Sequence, residues 1–162
     1  MASEPQLVDN SGSTQRSATI EANKALVRRY VAEVVNQRKL WLLPDFVAAE
    51  HVMHELIGDH YGPEGVRLAI EDYQSAFPDL CMTIEDLIGE GDRVVRRFTA
   101  SGTNDGSFMG VPPTGRFVSV TGVAIDRIRE GRLVESWLSF DSLGALQQMG
   151  ALPAIGLSDT HP

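Results

Sequence analysis

The feature that most limits how this chain can fold is a change of hydrophobic period at Pro78. Before that proline, apolar residues recur with the spacing of an amphipathic helix in two segments, one starting near Thr19 and one at Gly62. After it, apolar and polar residues alternate, and strands are expected at about residues 80–89, 93–103, 116–129 and 132–140. Helices followed by successive strands predict an α+β fold, in which a curved antiparallel sheet wraps around the helices as a cone with an internal cavity.

Local signals mark the ends of the helices. Thr19 is an N-cap residue type, and the helix that it begins is expected to reach about Arg38. Pro63 stands in the first turn of the second helix, which Pro78 ends. Asp141 is expected to cap a last, short helix.

The remaining segments complete a single domain. His51 to Leu56 is expected to be a short strand, and residues 104–115, rich in glycine and proline, a longer loop. Residues 1–18 are polar without apolar periodicity, so they are predicted to be a disordered arm. Residues 19–152 are predicted to form the domain, and residues 153–162 a tail.

Composition excludes several classes of partner. The chain has 162 residues, 43% of them hydrophobic, and a net charge of −8, which argues against nucleic acid or an anionic membrane surface as a partner. No apolar run approaches the roughly 18 residues of a membrane-spanning helix. The single cysteine, Cys81, excludes an internal disulfide and suits a reducing compartment, so a cytoplasmic location is expected.

His54 is the first candidate for acid or base chemistry. Histidine is the side chain that titrates near neutral pH, and His54 lies on the short strand. The alternative is a histidine with a structural or surface role. His51 and His54 do not share a strand face and do not fit a zinc pattern, so no metal site is expected.

Asp126 is the second catalytic candidate. It shares a strand face with Val118, Val120, Gly122 and Ala124, so a cavity behind that face would include it. A carboxylate in a mostly apolar cavity could serve as acid or base. The alternative is that strand twist exposes Asp126 to water or to nearby arginines.

Other polar residues admit two interpretations each. Arg96 and Arg97 are adjacent on a central strand and cannot both be exposed, so one is expected to pair with an acid or with a substrate carboxylate. Tyr30 and Tyr73 lie on helical core stripes, where their rings pack and their hydroxyls could reach the cavity. No phosphate loop or nucleophile motif is present, and no cofactor is expected.

Two stretches of the chain carry a family resemblance. The first is Gly62-Pro63-Glu64-Gly65-Val66-Arg67 with Ala76-Phe77-Pro78-Asp79-Leu80, and the second runs from Gly91-Asp92-Arg93 through Gly102-Thr103 and Gly110-Val111-Pro112-Pro113-Thr114-Gly115 to Glu135-Ser136-Trp137 and Gln147-Gln148-Met149-Gly150. Together they resemble the SnoaL-like polyketide cyclases, which have the nuclear-transport-factor-2-like fold. The resemblance covers roughly residues 20–152 and implies a deep pocket and a homodimer assembled through the sheet. It also implies ring closure by a cofactor-free aldol reaction, with an aspartate as acid/base assisted by a histidine and an asparagine.

Those three family positions are apolar in this chain. By the resemblance, the aspartate falls at Leu138, the histidine at Ala124 and the asparagine at Met53. The family's Gly-Thr-His motif is altered as well, because the third residue is Asn104. None of the three apolar side chains can exchange protons, so the resemblance implies a cavity without the usual aldol machinery.

Two functions from different classes follow. The first is a cyclase-type enzyme that closes a ring in a hydrophobic polyketide-like substrate by shape, with at most one proton-transfer residue, His54 or Asp126. The second is a non-catalytic carrier or binding subunit. In both, the expected binding residues are Met53, Ala124, Ser136, Leu138, Phe140 and Tyr30.

Overall fold

The computed structural model describes residues 11–153 as one α+β domain. Its elements follow in the order α1 (Ser11–Arg29), a π-helical continuation (Tyr30–Asn36), a 3-10 turn (Leu40–Leu42), α2 (Leu43–Phe46), β1 (Val47–Glu55), β2 (Gly58–Tyr61), α3 (Gly62–Ala76), β3 (Cys81–Glu90), β4 (Arg93–Thr103), β5 (Phe117–Arg129), β6 (Arg132–Phe140) and α4 (Ser142–Met149). No helix within residues 11–153 is long and apolar enough to cross a membrane.

The six strands form one curved sheet in the order β2-β1-β6-β5-β4-β3. All neighbours are antiparallel except β1 and β6, which are parallel, so the sheet is mixed rather than wholly antiparallel. The register shifts once in each of three strand pairs, for example between Ile84 and Asp86 in β3. Such bulges increase the local bend and twist of a sheet, which helps it to curve around the helices.

Alternation along the strands separates an inner face from an outer one. On β5, Ala124 and Asp126 are fully buried, whereas Val123, which precedes Ala124 and points to the opposite face, is 44% exposed. The helices cover the inner face, and the buried core joins them to the sheet through Val27, Val31, Val34, Phe46, Val66, Ile70, Val94 and Leu133.

Gly122 allows an aromatic ring to lie against the inner face. A Cβ atom at this position would approach Cζ of Phe98 to 2.3 Å and the Ser139 carbonyl oxygen to 2.7 Å. Any side chain here would therefore displace Phe98, which lines the interior described below.

The predicted elements are confirmed with three corrections. Helix α1 begins at Ser11 rather than Thr19, so residues 11–18 of the expected arm are helical; the side chains of residues 12–18 are exposed, and no apolar period marks them. Strand β1 begins at Val47 rather than His51, and β2, which has no hydrophobic alternation, pairs with it as a hairpin. Residues 1–10 of the arm and most of the tail lie outside the described residues.

Capping of the last helix follows the prediction. The Asp141 carboxylate accepts a hydrogen bond from the Gly144 backbone N–H at 2.8 Å. At the other end, Gly150 has a φ of 80°, the left-handed conformation that closes many helices.

Candidate active site

An internal cavity of about 110 Å³ lies between the inner face of the sheet and the helices. Its wall is almost entirely aromatic and aliphatic, contributed by every strand except β2 and by α3, α4 and the π-helical segment. The polar side chains in that wall belong to Tyr30, Tyr73, Arg96 and Ser101. A site of this kind binds an apolar ligand and orients it by a few polar contacts.

A surface pocket of about 270 Å³ adjoins the cavity. Tyr73, Phe108 and Phe140 belong to both spaces, and their ring centroids lie 5.8–6.5 Å apart. Two exposed apolar residues, Leu56 and Ile57, border the surface pocket. The three rings thus lie between the internal cavity and a surface depression that Asp72, Ser75 and Ser107 also line.

The loop that carries Phe108 is held by a buried asparagine. Asn104 has no exposed surface; its side-chain N–H donates to the Gly106 carbonyl at 2.7 Å, and its side-chain oxygen accepts from the Thr114 N–H at 3.0 Å. In this chain Asn104 organises the loop between β4 and β5.

A buried polar cluster lies behind the cavity wall. The Ser136 hydroxyl donates to Oδ1 of Asp126 at 2.8 Å, and Nε2 of His51 lies 3.1 Å from the same hydroxyl oxygen. Because a hydroxyl has one proton, and Asp126 accepts it, Nε2 of His51 must be the donor to Ser136. Its Nδ1 then carries a lone pair with no partner among the described residues.

Arg96 connects this cluster to the cavity. Its Nε lies 3.5 Å from Oδ2 of Asp126, and its guanidinium carbon lies 5.5 Å from the centroid of the Tyr30 ring. Arg96 is 5% exposed, and its Nε and Nη1 atoms have no hydrogen-bond partner among residues 11–153. A buried guanidinium with unused N–H groups in a cavity wall can donate hydrogen bonds to an oxygen atom of a ligand.

Burial sets the protonation of two further groups. It lowers the pKa of His51 to about 4, so this imidazole is neutral at physiological pH. Burial also raises the pKa of Tyr30 to about 12, although the charge of Arg96 opposes the shift. The Tyr30 phenol therefore keeps its proton.

A second buried carboxylate lies at β1. The Tyr73 hydroxyl donates to Oε2 of Glu55 at 2.5 Å, and Nε2 of His60 lies 2.5 Å from Oε1. The Glu55 side chain has no exposed surface, whereas that of His60 is 19% exposed. Burial, with the charge of Glu55, raises the pKa of Tyr73, whose ring lines the cavity.

Four of the six predicted binding residues border the cavity: Tyr30, Met53, Leu138 and Phe140. Ala124 and Ser136 lie on the inner face without bordering it; Ala124 is paired in register with Arg96 and Leu138, and Ser136 belongs to the polar cluster. Asp126 points inward as expected. It bonds Ser136 and lies beside Arg96, not Arg127 or Arg129.

His54 lies on the outer face of the sheet, contrary to the expectation that it serves the cavity. Its Nδ1 is 2.8 Å from Oδ1 of Asp59, its Nε2 is 3.5 Å from Oε1 of Glu135, and its ring stacks on Trp137 at 5.6 Å. The hydrogen bond to Asp59 raises the pKa of His54. Strand alternation is the reason: Met53 faces inward, so its neighbour His54 faces outward.

The same alternation identifies residues that the sequence reading missed. His51 and Glu55 share the inward face of β1 with Met53, and both belong to the buried polar groups. Arg96, expected only as one of two possible buried arginines, is the buried one, and Arg97 forms an ion pair with Asp86 on the outer face at 2.6 Å.

Within residues 11–153, no three histidine, cysteine or acidic side chains form a group that could hold a metal ion.

The curved mixed sheet and its enclosed apolar cavity define a class of small α+β proteins that bind ligands inside a cone. Comparison with family models makes the assignment specific. The model of the SnoaL-like polyketide cyclases matches residues 25–149, and the chain belongs to this family. The search of curated proteins gave no match.

Solved structures agree with this assignment. TsrD from Streptomyces laurentii is 32% identical, with a TM-score of 0.74, over 82% of this chain and 97% of that one. AclR from Streptomyces galilaeus, a candidate hydroxylase, is 31% identical, with a TM-score of 0.74, over 85% and 87%. IdmH from Streptomyces antibioticus, a candidate polyketide cyclase, is 31% identical, with a TM-score of 0.69, over 79% and 98%. Family and neighbours together support a cyclase-type function.

Proposed function

We propose that this protein is a cofactor-independent cyclase that closes a ring in a hydrophobic, polyketide-like substrate held in the internal cavity. The observation that carries the proposal is Arg96, a buried cation with unused N–H groups in an otherwise apolar wall. A carbonyl oxygen of the substrate would accept hydrogen bonds from these N–H groups. The hydrocarbon part of the substrate would fill the space among the aromatic rings.

The size of the cavity indicates how the substrate lies. About 110 Å³ is less than the roughly 150 Å³ of an apolar cavity that holds benzene, so a polyketide-sized substrate must extend beyond it. The adjoining surface pocket supplies room past Tyr73, Phe108 and Phe140, with apolar side chains on one side, Leu56 and Ile57, and polar ones on another, Asp72, Ser75 and Ser107. The substrate therefore has its polar end at Arg96 and its remainder toward the surface.

The catalytic contribution differs from that of the family's aldol enzymes. Leu138, to which the family resemblance assigns the position of the aspartate, lines the cavity and would supply shape rather than a base. A dry cavity that holds a flexible chain in a folded conformation lowers the entropy cost of ring closure. Arg96 would stabilise negative charge that develops on the carbonyl oxygen. Asp126, expected as a catalytic residue, is here proposed to position Arg96.

We also infer a homodimer through the outer face of the sheet. No helix within residues 11–153 covers that face, and Val123, Ile125 and Trp137 form an apolar patch on β5 and β6.

The proposal is tested with the compound that accumulates when the gene is deleted in its host. Purified protein should convert this compound to an isomer, or to a product one water lighter, and Arg96→Met should reduce the rate by about a hundredfold. Arg97→Met, on the outer face of the same strand, is the matched control. Tight binding without conversion would instead favour the carrier function.

A further inference from the structure

We propose that Tyr73 and Glu55 form a proton relay in the cavity wall, in which Tyr73 touches the substrate and Glu55 stores the proton. The inference rests on the proposed function, because it assigns the proton transfer of ring closure to the same cavity. It replaces His54, which lies on the opposite face of the sheet.

The geometry of Glu55 is that of a group held for proton exchange. Its carboxylate is completely removed from solvent and contacts the Tyr73 hydroxyl and the His60 imidazole, each at 2.5 Å. One of these partners borders the cavity, and the other is 19% exposed at the surface. Glu55 thus lies between Tyr73, which borders the cavity, and His60, which is partly exposed. Only the Tyr73 contact is a hydrogen bond, because Oε1 of Glu55 and Nε2 of His60 have no hydrogen-bond partner among the described residues.

The relay and the Arg96 end of the site face the same cavity. Tyr73, Tyr30 and Arg96 all border it, and the Tyr30 ring lies against the Arg96 guanidinium. The carbonyl anchor and the relay therefore serve one substrate from the same cavity wall.

The proton step can be written with all atoms balanced. The C–H bond next to the substrate carbonyl breaks, its proton passes to the Tyr73 oxygen, and the Tyr73 phenolic proton passes to Oε2 of Glu55. The electron pair forms an enolate whose oxygen is held by Arg96. The enolate carbon then bonds to a second carbonyl carbon, and the new alkoxide takes a proton back through Tyr73.

Tyr73 can act in this way without becoming a phenolate. Its pKa is raised, so an isolated Tyr73 anion would be a poor intermediate. In the relay it gives and receives a proton together and stays neutral. The proton returned to the alkoxide restores Tyr73 and Glu55, and in heavy water the adjacent His60 is where deuterium would enter the relay.

The test uses 2-indanone, a bicyclic ketone with acidic C–H groups, and the full-length protein in heavy water. Exchange of its α-hydrogens for deuterium is followed by NMR, and binding by titration calorimetry. The variants are Tyr73→Phe, which keeps the ring, and Glu55→Gln, which accepts the Tyr73 hydrogen bond and cannot store a proton. Glu50→Gln, exposed on the same strand, is the matched control.

The relay predicts that the wild type and Glu50→Gln accelerate exchange, and that each relay variant is slower by about a hundredfold, with its dissociation constant changed by less than about threefold. Binding without accelerated exchange by the wild type would overturn the relay and leave the templating function standing. Wild-type rates in either relay variant would overturn it too. Absence of 2-indanone binding would overturn the proposed function itself, and the relay with it.

Discussion

Nε of Arg96 lies 3.5 Å from Oδ2 of Asp126, and both side chains are almost completely buried. Because water does not reach these side chains, each charge of the pair is stabilised by the other instead of by solvent. The exposed pair of the neighbouring Arg97 on β4 with Asp86 on β3, 2.6 Å apart, is a natural comparison, because solvent screens it.

Removing the acid of the buried pair should destabilise the fold strongly. Asp126→Asn leaves the Arg96 charge uncompensated, and we expect a loss of about 3–5 kcal/mol in the free energy of unfolding, measured with urea. Asp86→Asn removes the acid of the exposed pair and should cost less than about 1 kcal/mol. Equal costs for the two variants would contradict this account of the pair.

The buried imidazole of His51 should make stability fall in acid. Its pKa is lowered to about 4 in the folded state, so below about pH 6.5 the unfolded chain binds a proton that the folded chain does not. The contribution is present above pH 6.5 and is lost as the pH falls to about 4, by roughly 3 kcal/mol. His51→Gln, which keeps an N–H donor for Ser136, should remove this part of the pH dependence. Parallel stability curves for variant and wild type would refute the assignment.

His54 should show the opposite sign. Its pKa is raised by Asp59, so its stabilising contribution is complete below about pH 6.5 and is lost as the pH rises through the folded-state value. His54→Gln should therefore be less stable than the wild type in acid and equal to it in base. Because His54 lies outside the cavity, its loss should leave 2-indanone binding unchanged; weaker binding would place His54 in the site after all.

Filling the cavity should block binding while the fold persists. Ala100 lines the cavity from β4, and Ala100→Leu would occupy part of the space that a ligand needs. We expect at least about a tenfold loss of 2-indanone affinity by titration calorimetry. Val123→Leu adds an apolar methylene group on the outer face and should bind normally. Unchanged affinity in Ala100→Leu would mean that the ligand lies elsewhere.

The outer face should determine the oligomeric state. Val123→Glu puts a charge in the centre of the patch and should convert a dimer to a monomer in light scattering, with unchanged circular dichroism. Leu68→Glu introduces the same charge at an exposed position of α3 and should remain dimeric. A wild type that is monomeric at all concentrations would contradict the dimer.

The fold could be predicted from the sequence because the change of period at Pro78 and the turn residues are local signals. Part of the cavity lining could be predicted for the same reason: Met53, Leu138 and Phe140 follow from alternation and border the cavity. The expectation that His54 serves the cavity rests on its chemical type, and the structure instead places its side chain on the outer face. Parity alone places Glu55, not His54, on the face of Met53.

Other parts of the site depend on contacts that no local pattern encodes. His51 and Ser136 are 85 residues apart in sequence, and β1 meets β6 in the one parallel pairing of the sheet. Which of Arg96 and Arg97 is buried depends on the register of β4 with β5, where Arg96 faces Ala124. Such pairings follow from packing of the whole domain.

The most direct test of the account is calorimetric binding of 2-indanone and of indane, its analogue without the carbonyl, to the wild type and to Arg96→Met. The account predicts that the wild type prefers the ketone by about tenfold or more, and that Arg96→Met binds both compounds alike. A wild type that binds indane as tightly as 2-indanone, or an Arg96→Met variant that keeps the full preference, would contradict the role of Arg96 as the carbonyl anchor of the cavity.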